Sequence, residues 1–387
     1  MKESLQDHPK QVASSSLGRS WRFLDLLHAA SARVRSFAAI AVVVAWAPPA
    51  LLSALRGRVA FLSFLTDYAT QTRFLIILPL VILAAPWLNK RLAKVSGHLK
   101  GFVLEGQLSD FEANWASFER LGNSMAAEVV MVLLTYGLAL GLGQYISPEG
   151  GEIVAWWKGG GGFSWFSPAG TWALFISYPI LVSLTLLWLW RQLLWTRFMR
   201  AVARLDLRLI AAHPDNVGGI GFLESALRGQ HPFSFCLGLG LTGAVANRVM
   251  HHGEKLIAFG PVAGVLVVAV LLTCVAPYIV FTPVLTRMRH RGLLKYGAFA
   301  RTAGEHFEKK WIDGPDRLNQ DVLMVADFSA IHDLYGVVSN VNDISVVPVN
   351  RADLYALLLV AFIPTIPVVI GSIPLAVVAR AALKMLF

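Results

Sequence analysis

Four arginines, Arg197, Arg200, Arg204 and Arg208, follow one another at intervals of 3, 4 and 4 residues. On an α-helix that spacing puts every guanidinium on one face. Such a stripe can anchor a helix to anionic headgroups, or it can line a cationic vestibule that concentrates anions at the mouth of a pore. Beyond it stands His213-Pro214-Asp215, an imidazole and a carboxylate at turn spacing. The two have the chemistry of an acid and a base, but no nucleophile or metal cluster accompanies them, so a turn residue and a helix-capping carboxylate are the simpler reading. Gly218 and Gly219, with Gly221, come next. Their backbone N–H groups could form an anion nest beside the arginines, or the glycines could serve only to pack the turn tightly. No Walker lysine follows, which leaves nucleotide binding poorly supported.

Two further ionisable residues stand within apolar runs. Glu128 lies about one turn inside an expected span, where a carboxylate is costly unless paired, and Arg191 at the same expected depth is its natural partner in an intramembrane ion pair. His251-His252-Gly253-Glu254 has weak metal-binding character, but adjacent histidines in a short loop are ordinarily solvated. The two cysteines, Cys236 and Cys274, fall in apolar runs and read as packing residues. No cofactor and no metal site is expected.

The elements that must carry these residues are set by composition. The chain has 387 residues, of which 56% are hydrophobic and 15% charged. Soluble domains carry about 25% charged residues, so lipid is the expected solvent. An all-α, polytopic transmembrane helical bundle of about seven spans follows, with a cytoplasmic helical layer. Residues 1–35 form an N-terminal tail with an interfacial helix. Residues 36–285 hold six spans, and residues 89–124 and 191–231 are polar segments between them. Residues 286–352 form a further cytoplasmic helical segment, and residues 353–387 a proline-rich last span, crossing once or as a hairpin.

Local signals refine this frame. The first span should be interrupted at Pro48-Pro49, and the second should be short, Phe74 to Leu88. Ser109-Asp110-Phe111-Glu112 has capping-box spacing and predicts a helix that buries Phe111, Trp115 and Phe118. Trp156, Trp157 and Trp165 suit an interfacial belt. The fourth span, from about Trp172, should run on as helix through the arginines to Ala212, where Pro214 stops it. Gly238, Gly240 and Gly243 on the fifth span allow a neighbour to pack close. The sixth, Leu256 to Leu285, should be kinked by its prolines. In residues 286–352 helical spacing predicts two helices, and Asn350 should cap the last span.

On a seven-span count, 26 of the 34 lysines and arginines fall on one side, which makes that side, and the N-terminus, cytoplasmic. Basic residues beside spans point to anionic lipid headgroups as the partner, and not to nucleic acid. The residues Tyr68-Ala69, Arg73-Phe74-Leu75, Pro79-Leu80, Leu205-Asp206-Leu207-Arg208, His213-Pro214-Asp215, Gly218-Gly219-Ile220-Gly221-Phe222-Leu223, Ala326-Asp327 and Val346-Val347-Pro348 together resemble a group of uncharacterised bacterial multi-pass membrane proteins. The resemblance covers most of the chain from about residue 60. It implies a bacterial inner membrane and no activity. Proline-broken spans and a basic stripe then favour an oligomeric channel or transporter for a small solute, an anion by its charge. A membrane sensor or scaffold binding a cytoplasmic protein is the alternative, and a membrane enzyme using His213 and Asp215 ranks last.

Overall fold

The computed structural model describes residues 31–145, 155–159, 166–313 and 326–372. Among the described residues six helices are long and apolar enough to cross a membrane: Ala32–Leu55, Tyr68–Lys100, Pro168–Val202, His231–His252, Leu256–Ile279 and Arg351–Gly371. A seventh span arises if Glu105–Gly122 and Met125–Leu138, bent by 45°, count as one. Among the described residues the only β-pairings are isolated bridges. The protein is thus an all-α, multi-pass membrane bundle. Of the tail expected over residues 1–35, residues 1–30 with the interfacial helix lie outside the described residues and residues 31–35 belong to the first helix, and any turn beyond residue 372 also lies outside them.

The first span, α1 (Ser31–Leu55), passes through Pro48 and Pro49 without a break. This corrects the expected interruption, and its reason is chemical. Each proline deprives the carbonyl four residues earlier of its helical partner. Those carbonyls belong to Val44 and Ala45. They accept instead from Trp172 Nε1 at 3.1 Å and Ser177 Oγ at 2.7 Å. In lipid a freed carbonyl must be satisfied by protein, and a neighbouring span does so here.

After α2 (Arg58–Leu65) the second span is assembled from α3 (Tyr68–Gln71), a π-helical segment Thr72–Ile77, and α4 (Leu78–Lys100). It is 33 residues long, much longer than the expected 74–88, so the start of the 89–124 segment is helix. α5 (Leu108–Gly122) packs its aromatic face on the next long span, with Phe111 and Trp115 rings 5.5 and 5.3 Å from Phe198. Its cap differs from expectation. Gln107 occupies that position, and Ser109 lies inside the helix.

α6 (Met125–Tyr145) follows, and then the second composite span: α7 (Pro168–Trp172), a π-helical segment Ala173–Ser177, and α8 (Tyr178–Val202). The two composite spans share one plan. Each opens on a side-chain cap, Asp67 accepting from Thr70 N and Ser167 accepting from Gly170 N. Each then widens into a π segment that ends two residues before a proline, Pro79 or Pro179. The caps are 100 residues apart, and so are the prolines. A proline ring clashes with the carbonyl of residue i−4, and a wider turn at that point relieves the clash while keeping the helix continuous. The two spans thus share one local solution to the same steric problem.

α8 stops at Val202, ten residues before the expected end. Arg204 N and Leu205 N bond back only three residues, to Ala201 O and Val202 O, which tightens and ends the helix. The chain then pairs antiparallel with the segment after α4, through Leu104 N to Asp206 O at 3.2 Å and Arg208 N to Phe102 O at 2.7 Å. Nothing in the local sequence breaks a helix before Pro214. Tertiary pairing overrides the local preference.

The remaining helices are α9 (Glu224–Arg228), α10 (His231–His252), α11 (Gly260–Ile279), α12 (Thr282–Trp311), α13 (Ala326–Asn342), α14 (Arg351–Phe362) and α15 (Ile366–Ser372). The expected long sixth span is in fact two helices, α11 and α12, separated at Val280 and Phe281. The two helices expected in 286–352 are present, and Phe328 of α13 meets Phe307 and Trp311 of α12 at 4.9 and 5.4 Å. Asn350 caps α14 by accepting from Ala352 N at 3.0 Å. α10 is the central span. It packs on α14 through Gly238 and on α3 and the first π segment through Gly243.

Candidate functional site

The expected arginine stripe is not one helical face. Arg197 and Arg200 are exposed on α8, Arg204 is exposed in the turn after it, and Arg208 sits on the extended segment, 3.6 Å from Glu105. The glycine turn is also different from an open nest. Asp215 itself occupies it: Oδ1 accepts from Val217 N and Gly219 N at 3.0 Å, and Oδ2 from Gly221 N at 2.9 Å. His213 Nδ1 lies 2.8 Å from Oδ1. An internal carboxylate has taken the place an external anion would need.

Gly218 and Gly219 hold φ of 74° and 99°, a region that favours glycine. A Cβ on Gly218 would meet Met288 of α12, and one on Gly219 would meet Phe102 after α4. Ser345 N bonds Asn216 O at 2.8 Å. The turn is the hub of the polar layer. Burial works against ionisation of Asp215, but the backbone N–H groups of Val217, Gly221 and Gly219, with His213, outweigh it and hold the carboxyl below its usual range.

A group whose pKa is depressed by folding stabilises the fold fully above the usual carboxylate range, and that contribution is lost as the pH falls through the depressed value. Asp215→Ala should cost about 2 kcal/mol at neutral pH, because three backbone donors lose their acceptor at a half-buried site. Thermal midpoints taken between pH 7 and pH 3 check this. The gap between wild type and variant should narrow below about pH 4, and a gap independent of pH would refute the assignment.

Glu128 is half-buried on α6, and Nε and Nη1 of Arg191 are buried without a hydrogen-bond partner. His251 contacts Thr66 O at 2.9 Å and stacks on Tyr68, while Arg248 and Glu254 lie 3.7 Å apart. Cys236 and Cys274 are free and buried.

One buried polar constellation was not singled out by sequence. It lies where the two composite spans begin. Asp67 is 5% exposed. Its Oδ1 accepts from Thr70 N at 3.1 Å and Asn247 Nδ2 at 2.7 Å, and its Oδ2 from Thr70 Oγ1 at 2.7 Å and Trp156 Nε1 at 3.1 Å. Of the tryptophans expected at the interface, Trp156 is fully buried in the protein and Trp165 lies outside the described residues. One turn further on, Arg73 lies in the first π segment. Its Nη1 donates to Tyr178 Oη at 3.0 Å, and Asp67 is within electrostatic reach. Tyr178 is the residue directly after the second π segment, and its ring also packs edge-on to Phe74 at 5.2 Å. Gln71 completes the set, donating to Phe64 O and accepting from Trp46 Nε1, both at 2.7 Å.

This arrangement brings a carboxylate, a guanidinium and a phenol together where the two composite spans begin. Ionisable groups within spans are expensive, and where they occur they commonly mark a solute or ion site. The signals in sequence were the Asp67–Thr70 cap spacing and the hundred-residue offset of the two prolines. Comparison of the chain with protein-family models, with curated proteins and with solved structures finds no match.

Proposed function

We propose that the protein is a transporter or channel for a small anion, set in a bacterial inner membrane with its N-terminus cytoplasmic. The observation that carries this reading is the meeting of Arg73 and Tyr178 at the π segments of the two composite spans, beside buried Asp67. Arg73 supplies the positive charge that an anion would follow through the outer part of the bundle. The π segments supply joints at which the two halves of each span can shift against each other. The exposed Arg197, Arg200 and Arg204 raise the local anion concentration on the opposite face.

Purified protein in liposomes should pass chloride, phosphate or sulfate under an applied voltage. Arg73→Gln should cut that flux by about tenfold or more while leaving the elution profile intact, and Arg73→Lys should retain part of it. Absence of flux for all three anions, or full flux in Arg73→Gln, would remove this reading. The second reading, a sensor or scaffold, is favoured by one feature. α12 runs 30 residues and packs against α13 as an arm with many exposed charges. A single partner recovered stoichiometrically from a pull-down, with no flux, would support it. The enzyme reading is weakened by the commitment of Asp215 to backbone N–H groups.

A further inference from the structure

Where α4, α9, α10 and α14 meet, two carboxyl groups from different elements converge on one guanidinium. Arg228 of α9 donates through Nε to Asp353 Oδ1 at 2.8 Å and through Nη2 to Asp353 Oδ2 at 3.2 Å, and the same Nη2 reaches Glu224 Oε2 at 3.4 Å. Asp353 stands in the first turn of α14, at the head of the last described span, with a side chain only 11% exposed. Glu224 is the first residue of α9, and 26% of its side chain is exposed. It accepts from the backbone N–H of Asn350, the cap of α14, and lies within hydrogen-bond reach of the Asp353 carboxyl itself.

Two ionised carboxylates repel at such a separation, and a hydrogen bond between them requires that one hold a proton. Arg228 is one cation in contact with two acids. The other charged or titratable groups that face this corner are Arg91 and His231. Arg91 of α4 is engaged elsewhere, donating to Ser225 O at 2.8 Å and lying over the Trp87 ring. His231 begins α10, and its Nε2 is buried without a hydrogen-bond partner. Burial first, and then Asp353, push the Glu224 carboxyl above its usual range, against the pull of Arg228 and of the Asn350 N–H. A carboxyl raised in this way stabilises the fold fully below the usual carboxylate range, and that contribution is lost as the pH rises through the raised value. The sign is opposite to that of Asp215.

The elements joined here give the proton a mechanical consequence. α14 packs in turn along α10, with Ser234 Oγ donating to Leu357 O at 2.7 Å. We propose that Glu224 and Asp353 form a proton-operated latch: one proton shared between them draws α9 onto the head of the last span, and its loss leaves two like charges that loosen α14 there. The latch is separate from the Arg73 junction and does not depend on the transport reading.

Hydrogen exchange of the full chain in detergent tests this. Protection of the amides of residues 351–357, taken relative to the intrinsic exchange rate at each pH, should rise about fivefold from about pH 8 to about pH 5. Glu224→Gln keeps the shape and the hydrogen bond to Asp353 without a titrating proton, so its protection should be high and flat over the same range. His231→Gln should leave the rise intact. Wild-type protection independent of pH, or a rise that persists in Glu224→Gln, would overturn the latch. So would loss of the rise in His231→Gln, which would make the imidazole the sensor in place of the carboxyl pair.

Discussion

Gly238→Val should be the most damaging single substitution in the membrane region, abolishing recovery of folded protein or lowering its thermal midpoint in detergent well beyond other changes on α10. At Gly238 the backbone of α10 lies directly against α14, and even a methyl group would be driven into the carbonyl oxygen of Ala361, with the rest of that peptide close behind. The obstacle is backbone and cannot rotate away. Overpacking in a core typically costs about 1–3 kcal/mol, and a collision with main chain exceeds that range because two helices must separate. Separation also breaks the hydrogen bond from Ser234 Oγ to Leu357 O at 2.7 Å. Gly240 on the same helix is the control. A Cβ there would meet only Ile77 Cδ1, at an ordinary 3.6 Å, so Gly240→Ala should be nearly silent. Comparable midpoints for Gly238→Val and Gly240→Ala would contradict the packing described.

Asp67→Leu is the second large effect. The leucine is similar in size but accepts nothing, which leaves Thr70 N, Thr70 Oγ1, Asn247 Nδ2 and Trp156 Nε1 without their acceptor. Each buried donor so stranded costs about 1–3 kcal/mol, though the losses overlap, and about 4 kcal/mol is a reasonable expectation for the set. Because Trp156 ties residues 155–158 to the bundle through this carboxylate, amide exchange there should rise first. Asp67→Asn keeps the shape and one acceptor oxygen, and should lose less than half as much. If Asp67→Leu left both the midpoint and that exchange unchanged, Asp67 would not organise this end of the bundle.

Periodicity and composition encode those parts of the fold that lie within single elements. The close approach at Gly238 and Gly243, the aromatic face of α5, the Asn350 cap and the all-helical membrane bundle were legible because each depends on residues within one element. The arginine stripe was misread for the opposite reason. Arg204 and Arg208 have helical spacing and no local breaker, and only the pairing of Phe102 and Leu104 with residues 206–208 pulls them out of the helix. Pro48-Pro49 was misread likewise, since the groups that rescue Val44 and Ala45 come from a span more than a hundred residues away. The Asp67 constellation draws on α3, α10 and the segment around Trp156. No window of sequence contains it.

A π segment amounts to one residue too many for an α-helix, and one residue is about 100° of rotation. The stretch of each composite span beyond its π segment is therefore turned relative to the stretch before it. Tyr68 to Gln71 and Leu78 to Lys100 form one rod against α10, and α1, α8 and α9 pack on the second stretch. Excising a single residue from Thr72–Ile77 would leave an apolar helix that still reaches across the bilayer, yet it would swing Asn89 and everything else past the splice about a quarter turn away from its present surroundings.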